Sequence, residues 1–115
     1  MIMSTDAKAL IQNHLQAARK GVDAVMQDFT DDSVLITPDA TYRGLAEIRK
    51  FYTPFLNGLP KGFFDAFKMN RQEVVGDVAY ILWEAKPWLL LATDTFVVRD
   101  GKFLFQTFAA YTGSK

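Results

Sequence analysis

Residues 78–111 are apolar on both faces of every strand they can form, and they follow a helical N-terminal half. In one stretch Leu90, Ala92, Asp94, Phe96 and Val98 share a face, and Leu89, Leu91, Thr93, Thr95 and Val97 share the other. In the next, Phe103, Phe105, Thr107, Ala109 and Tyr111 alternate with Leu104, Gln106, Phe108 and Ala110. An antiparallel sheet with one wet face alternates apolar with polar residues. This pattern instead demands cover on both faces. The upstream helices supply one cover, and 115 residues leave nothing for the other, so a second copy of the chain is the expected cover. Thirteen basic and thirteen acidic residues give a formal net charge of zero, which offers little repulsion against such self-association.

The helical half is legible from its periodicity. Ala7, Leu10, Ile11, His14 and Ala18 form a stripe that predicts a helix from about Asp6 to Lys20, with Ser4 or Thr5 as cap and Gly21 just past its end. A short second helix carries Val22, Val25, Met26 and Phe29, and Thr30-Asp31-Asp32 closes it in a solvated turn. Ser33–Thr37 reads as a brief strand, Pro38-Asp39-Ala40 as a turn, and Thr41–Arg43 as a stub strand. A third helix starts near Gly44 and buries Leu45, Ile48, Phe51 and Tyr52, and Pro54 is expected to bend or end it. Four strands follow, over 63–75, 78–85, 88–99 and 102–112, the last two joined by the hairpin pair Asp100-Gly101. Helices first and then a meander place the chain in the α+β class, as a single domain over 1–115.

Several function classes fall away on composition. Without cysteine there is no disulfide, thiol nucleophile or thiolate metal site, and one histidine cannot supply two ligands. A balanced charge argues against nucleic acid as a partner. The opening residues turn polar at once, and Trp88–Ala92 is too short to span a bilayer, so the expectation is a cytoplasmic protein without a membrane role. No phosphate-cradling glycine loop, nucleophile elbow or metal-ligand spacing appears, so no cofactor and no metal are implied.

The order of elements, together with Phe29–Val34, Tyr42–Tyr52 and Asp94–Lys102, resembles the nuclear transport factor 2-like superfamily. Within it the chain is similar to the SnoaL-like branch of polyketide cyclases and ketosteroid-isomerase relatives. The resemblance covers nearly the whole chain and implies a cone: a curved antiparallel sheet wrapped on three N-terminal helices, with a deep apolar pocket inside. Laid against the ketosteroid isomerase pattern, His14 falls where those enzymes carry a tyrosine that donates to the substrate oxyanion. Asp94 falls where they carry an aspartic acid kept protonated for the same task. Thr37 falls where they carry the aspartate base. Threonine cannot take a proton from carbon at neutral pH. Asp39, two residues on and of the same strand parity, is the weak substitute.

Read from the residues alone, Asp94 sits among Leu90, Ala92, Phe96 and Val98, where desolvation pushes a carboxyl pKa upward. Such an acid is a candidate for chemistry, or else a brace satisfied by neighbouring donors. His14 on an apolar stripe is either a satisfied core residue or an acid–base group, and the two bonded to each other would be the smallest such pair available. Thr37, Phe51, Phe55, Phe64, Phe67, Trp83, Gln106 and Phe108 are the candidate pocket lining, with plain core packing the alternative for most of the aromatics and an interface the alternative for Gln106. Three classes remain open: an isomerase, cyclase or dehydratase working by proton transfer, a non-catalytic binder of a small apolar ligand, and an association domain.

Overall fold

The computed structural model describes residues 7–113. The expected caps Ser4 and Thr5 lie outside the described residues. Helix α1 runs Ala7–Lys20 and buries Ala7, Leu10, Ile11, His14 and Ala17. A short α2 follows, Val22–Met26. Two three-residue strands, β1 (Val34–Ile36) and β2 (Thr41–Arg43), precede α3, Gly44–Asn57. Then come α4 (Phe63–Ala66), β3 (Phe67–Val75), β4 (Val78–Ala85), β5 (Leu89–Arg99) and β6 (Lys102–Tyr111).

The strands form one sheet in the order β2-β1-β6-β5-β4-β3. The meander β3–β6 is antiparallel as the sequence predicts, and β1 extends the sheet by pairing parallel to β6, with Leu35 opposite Gln106. The concave face carries Ala79, Ile81, Trp83 and Ala85 of β4 and Ala92, Asp94, Phe96 and Val98 of β5, all buried. The helices pack over this face. Phe96 and Phe103 stand with ring centroids 4.4 Å apart at the centre, beside Ile11, Leu35 and Ile48, none of them accessible beyond 1%.

Three expectations need correction. Phe63–Ala66 is a helical turn and not the start of a strand, because Gly62, at a left-handed φ of 88°, reverses the chain before it. Of the two outcomes expected at Pro54, a bend or an end, the end does not occur: α3 runs through Pro54 to Asn57. The lost donor frees only the Lys50 carbonyl, and Phe55 in the final turn stacks on Phe51 at 5.6 Å and meets Phe108 edge-on. Finally, β6 does not alternate strictly. Val98 pairs with Phe103 while its neighbour Val97 pairs with Phe105, so Leu104 is an extra, bulged residue. Phe103 therefore shares the concave face with Gln106, and Phe105 turns outward.

The segment between α2 and α3 is tied down by its own polar groups. The Ser33 hydroxyl donates to the Phe103 carbonyl, and the Phe103 amide donates to the Asp28 carbonyl at 2.8 Å. Asp31 accepts from the Leu45 amide at 3.3 Å and so caps α3 from a distance. Gly44 is required here: its φ is 81°, and a Cβ would stand 3.2 Å from the Asp31 carbonyl oxygen. Glu47 completes the start of α3 by accepting from the Arg43 amide at 2.7 Å.

Candidate functional site

Between the concave face, α1, α3 and α4 lies a cavity of about 260 Å³. Its wall is aromatic and aliphatic, built from Phe51 and Phe55 of α3, Phe63 and Phe64 of α4, Phe67, Trp83 and Phe108 of the sheet, and Leu15, Leu56 and Leu59 at its sides. Four buried polar side chains interrupt that wall: His14, Tyr52, Asp94 and Gln106. Gln16 and Arg19 are its only exposed lining residues, so it opens at the end of α1.

The polar groups form a connected network. Asp94 accepts from the Trp83 indole N–H and from the Gln106 amide, each at 2.8 Å. Gln106 in turn accepts from the Tyr52 hydroxyl at 2.7 Å. The Tyr52 oxygen lies 3.4 Å from His14 Nε2, and His14 Nδ1 lies 2.9 Å from Asp28 Oδ2. Asn13 donates to the other oxygen of Asp28 at 3.2 Å. An ionised Asp28 fixes the proton of His14 on Nδ1 and leaves Nε2 turned toward Tyr52 and the cavity.

Burial dominates the electrostatics of Asp94. Loss of water raises its pKa from 3.8 to about 6, against the opposing pull of the Trp83 and Gln106 hydrogen bonds and of His14. Each carboxyl oxygen has a second lone-pair position beyond the bond it already accepts, so a proton or a ligand donor still finds a place there. Tyr52 is pushed well above its ordinary value, first by burial and then by the Asp94 charge, and remains a protonated donor.

His14 and Asp94 thus line one cavity, but they are not bonded to each other. The carboxylate on His14 is Asp28, in the turn after α2, and Asp94 is held by Trp83 and Gln106 instead. Asp28 and the hydroxyl of Tyr52 are members of the polar network that sequence reasoning missed, and it also missed Gln16 and Arg19 at the mouth. A buried histidine calls for a polar partner, and Asp28, three residues beyond Val25 on the stripe of the second helix, was within reach of that argument.

Thr37 and Asp39 do not belong to the cavity. Thr37 folds its hydroxyl into the β1–β2 turn, accepting from the Asp39 and Ala40 amides at 3.2 Å, and Asp39 is exposed at the tip. The strand parity of Asp39 with Thr37 means nothing once β1 ends at Ile36. Phe51, Phe55, Phe64, Phe67, Trp83, Gln106 and Phe108 do line the cavity. Among the described residues no cluster of His, Asp and Glu has the composition of a metal site, and no helix is long and apolar enough to cross a membrane.

Known structures share this architecture. A SnoaL-like protein of unknown function from Burkholderia thailandensis superposes with a TM-score of 0.75 at 16% identity, covering 96% of this chain and 99% of that one. An NTF-2 like protein of unknown function from Burkholderia xenovorans gives 0.72 at 18% identity, covering 95% and 85%. A hypothetical protein with a ketosteroid isomerase-like fold from Catenulispora acidiphila, solved in complex with trimethylamine, gives 0.65 at 12% identity, covering 86% and 82%. At such identities the likeness is one of fold. No curated protein matches the chain. The family described as the SnoaL-like domain matches residues 11–105, most of the sequence, and the chain belongs to that family.

Proposed function

We propose that this chain binds a small, mainly apolar carbonyl compound in its cavity and moves a proton within it, with His14 as the base and Asp94 as the acid. One observation carries the reading: on a wall that is mostly hydrocarbon, His14 and Asp94, each held by its own partners, face the same space. Asp28 orients the His14 ring and would stabilise the imidazolium formed when Nε2 takes a proton from carbon. Asp94, with its pKa near 6, would hydrogen-bond or protonate the oxygen on which the charge develops. Re-delivery of the proton from His14 to another carbon completes an isomerisation; its delivery instead to a hydroxyl on the carbon beta to the carbonyl, which leaves as water while the C=C bond forms, gives a dehydration. The volume lies just below the range of about 300–1,000 Å³ usual for drug-sized ligands, which favours a compact substrate.

The test is deuterium exchange into cyclohexanone in D2O, followed by proton NMR. The protein is expected to accelerate exchange at the carbons beside the carbonyl, His14→Gln to abolish the effect, and the rate to fall as pH rises through about 6. A ketone that binds without exchange would leave a non-catalytic binder. That second reading has its own support: no buried side-chain polar atom among the described residues lacks a partner, so the network also serves as an internal brace. The same proposal includes a homodimer through the convex sheet face, where Ile36, Leu91, Phe105 and Tyr111 are exposed.

A further inference from the structure

We infer that the ligand of this cavity carries an anionic group, a carboxylate, and that Arg19 at the mouth selects for it. The inference rests on the ligand-binding role proposed above and deepens it. Arg19 is the one lysine or arginine on the cavity wall and one of its two exposed lining residues. No carboxylate among the described residues lies within ion-pair distance of it. Its guanidinium is held all the same. The group sits over the Phe64 ring at 5.1 Å from the centroid, and one nitrogen reaches the Phe64 carbonyl at 3.4 Å. A guanidinium has five N–H donors in a planar fork, so most of them remain available to a carboxylate entering beside Phe64.

Solvation decides where a ligand charge can sit. Deep in the cavity an ion would lose its water among aromatic rings, whereas at the mouth it keeps part of its water and meets an arginine. His14 and Arg19 are five residues apart on α1, about 7.5 Å along the helix axis. An acid bound through Arg19 therefore places its apolar body, and not its charge, against His14 and Asp94. Asp94 itself argues for the same arrangement, since an anion beside it would be repelled once it ionises.

Three probes with one body separate the possibilities by calorimetry at neutral pH: phenylpropanoate, phenylpropanol and phenylpropylamine. The acid is expected to bind about tenfold tighter than the alcohol, the usual scale of a hydrogen bond to a charged group. Arg19→Gln should bring the acid down to the alcohol while leaving the alcohol unchanged, and Arg19→Lys should restore only part of the difference. Added salt should weaken the acid alone. Equal binding of acid and alcohol would overturn the role of Arg19 and leave the cavity as a ligand site. Tightest binding of the amine would overturn it too and point to Asp94 as the charge partner. If none of the three binds, both readings fall.

Discussion

Asp94 and His14 occupy one cavity but are held by different partners, Trp83 and Gln106 for the first and Asp28 for the second. The folded pKa of Asp94, about 6, stands above its ordinary 3.8. The folded protein therefore holds that proton more tightly than the unfolded chain. The resulting stabilisation is complete below pH about 3.8 and is lost as pH rises through about 6, a swing of roughly 3 kcal/mol. Had His14 been its ion-pair partner the sign would be the opposite, but that partner is Asp28. Asp94→Asn removes the titration. It also offers an N–H2 where Gln106 now donates, and the conflict resolves if the Gln106 amide turns over. The substituted amide then donates to Gln106, Gln106 to Tyr52, and Tyr52 to His14 Nε2. We expect the variant to fold and, between pH 4 and 7, to gain about 2 kcal/mol relative to wild type in urea unfolding. Superimposable pH profiles for the two proteins would remove the raised acid from the site, and with it the proton-transfer role of Asp94. His14 and Asp94 were legible in the sequence because each is a polar residue alone in an apolar pattern. Asp28 is legible only as the partner that a buried His14 calls for; taken by itself, near the acidic turn Asp31-Asp32, it reads as one more solvated charge.

Among the elements, the loop before α3 carries more of the fold than its solvated composition suggests. Asp31 caps the amide of Leu45 across fourteen residues of chain, and Gly44 makes room for it. Asp31→Ala should cost about 1 kcal/mol, the usual worth of a helix cap. For a domain of this size that is a fall in Tm of about 4 °C, readable by calorimetry. An unchanged Tm would mean that Glu47 and the packing of Ile48 hold the start of α3 without the cap. The elements with a clear period, α1, β4 and β5, were readable within a residue or so. Those decided by competition between neighbours were not. Phe63-Phe64-Asp65-Ala66 is too short for either period to declare itself. The bulge at Leu104 is hidden because both faces of β6 are apolar, and a slip of one residue leaves the pattern unchanged. Yet that bulge is what sets Phe103 and Gln106 on the same face, and so it joins the core to the cavity.

At the scale of the whole molecule, the two-faced pattern of residues 78–111 still has one face without cover. The helices and the cavity account for the concave side. On the convex side Leu91 lies opposite Tyr111, Thr93 opposite Ala109, Thr95 opposite Thr107, and Val97 opposite Phe105. The parallel strand β1 extends this surface with Ile36, and β4 with Val78, Tyr80 and Leu82. Charge enters toward the flanks, at Glu84 and Lys68, at the Arg71–Glu73 pair on β3, and at Arg43 of β2 opposite Val34. A neutral centre of threonines and large apolar groups inside a charged rim is the composition of an interface that buries no ions. It can meet a copy of itself about a two-fold axis without opposing like charges. Sedimentation equilibrium at micromolar concentration should therefore give twice the 13.0 kDa of the single chain, and a 13.0 kDa species alone would end the proposal. Thr95 is the sharper probe. It stands at the middle of this face, paired with Tyr80 on one side and Thr107 on the other, with its side chain opposite in sense to that of Asp94. Thr95→Lys adds a cation that water solvates in the monomer and that a dimer must bury, twice over, near its symmetry axis. Dissociation to a folded monomer that still binds cavity ligands is the expected result. A variant that stays dimeric would show that the copies pair through some other surface.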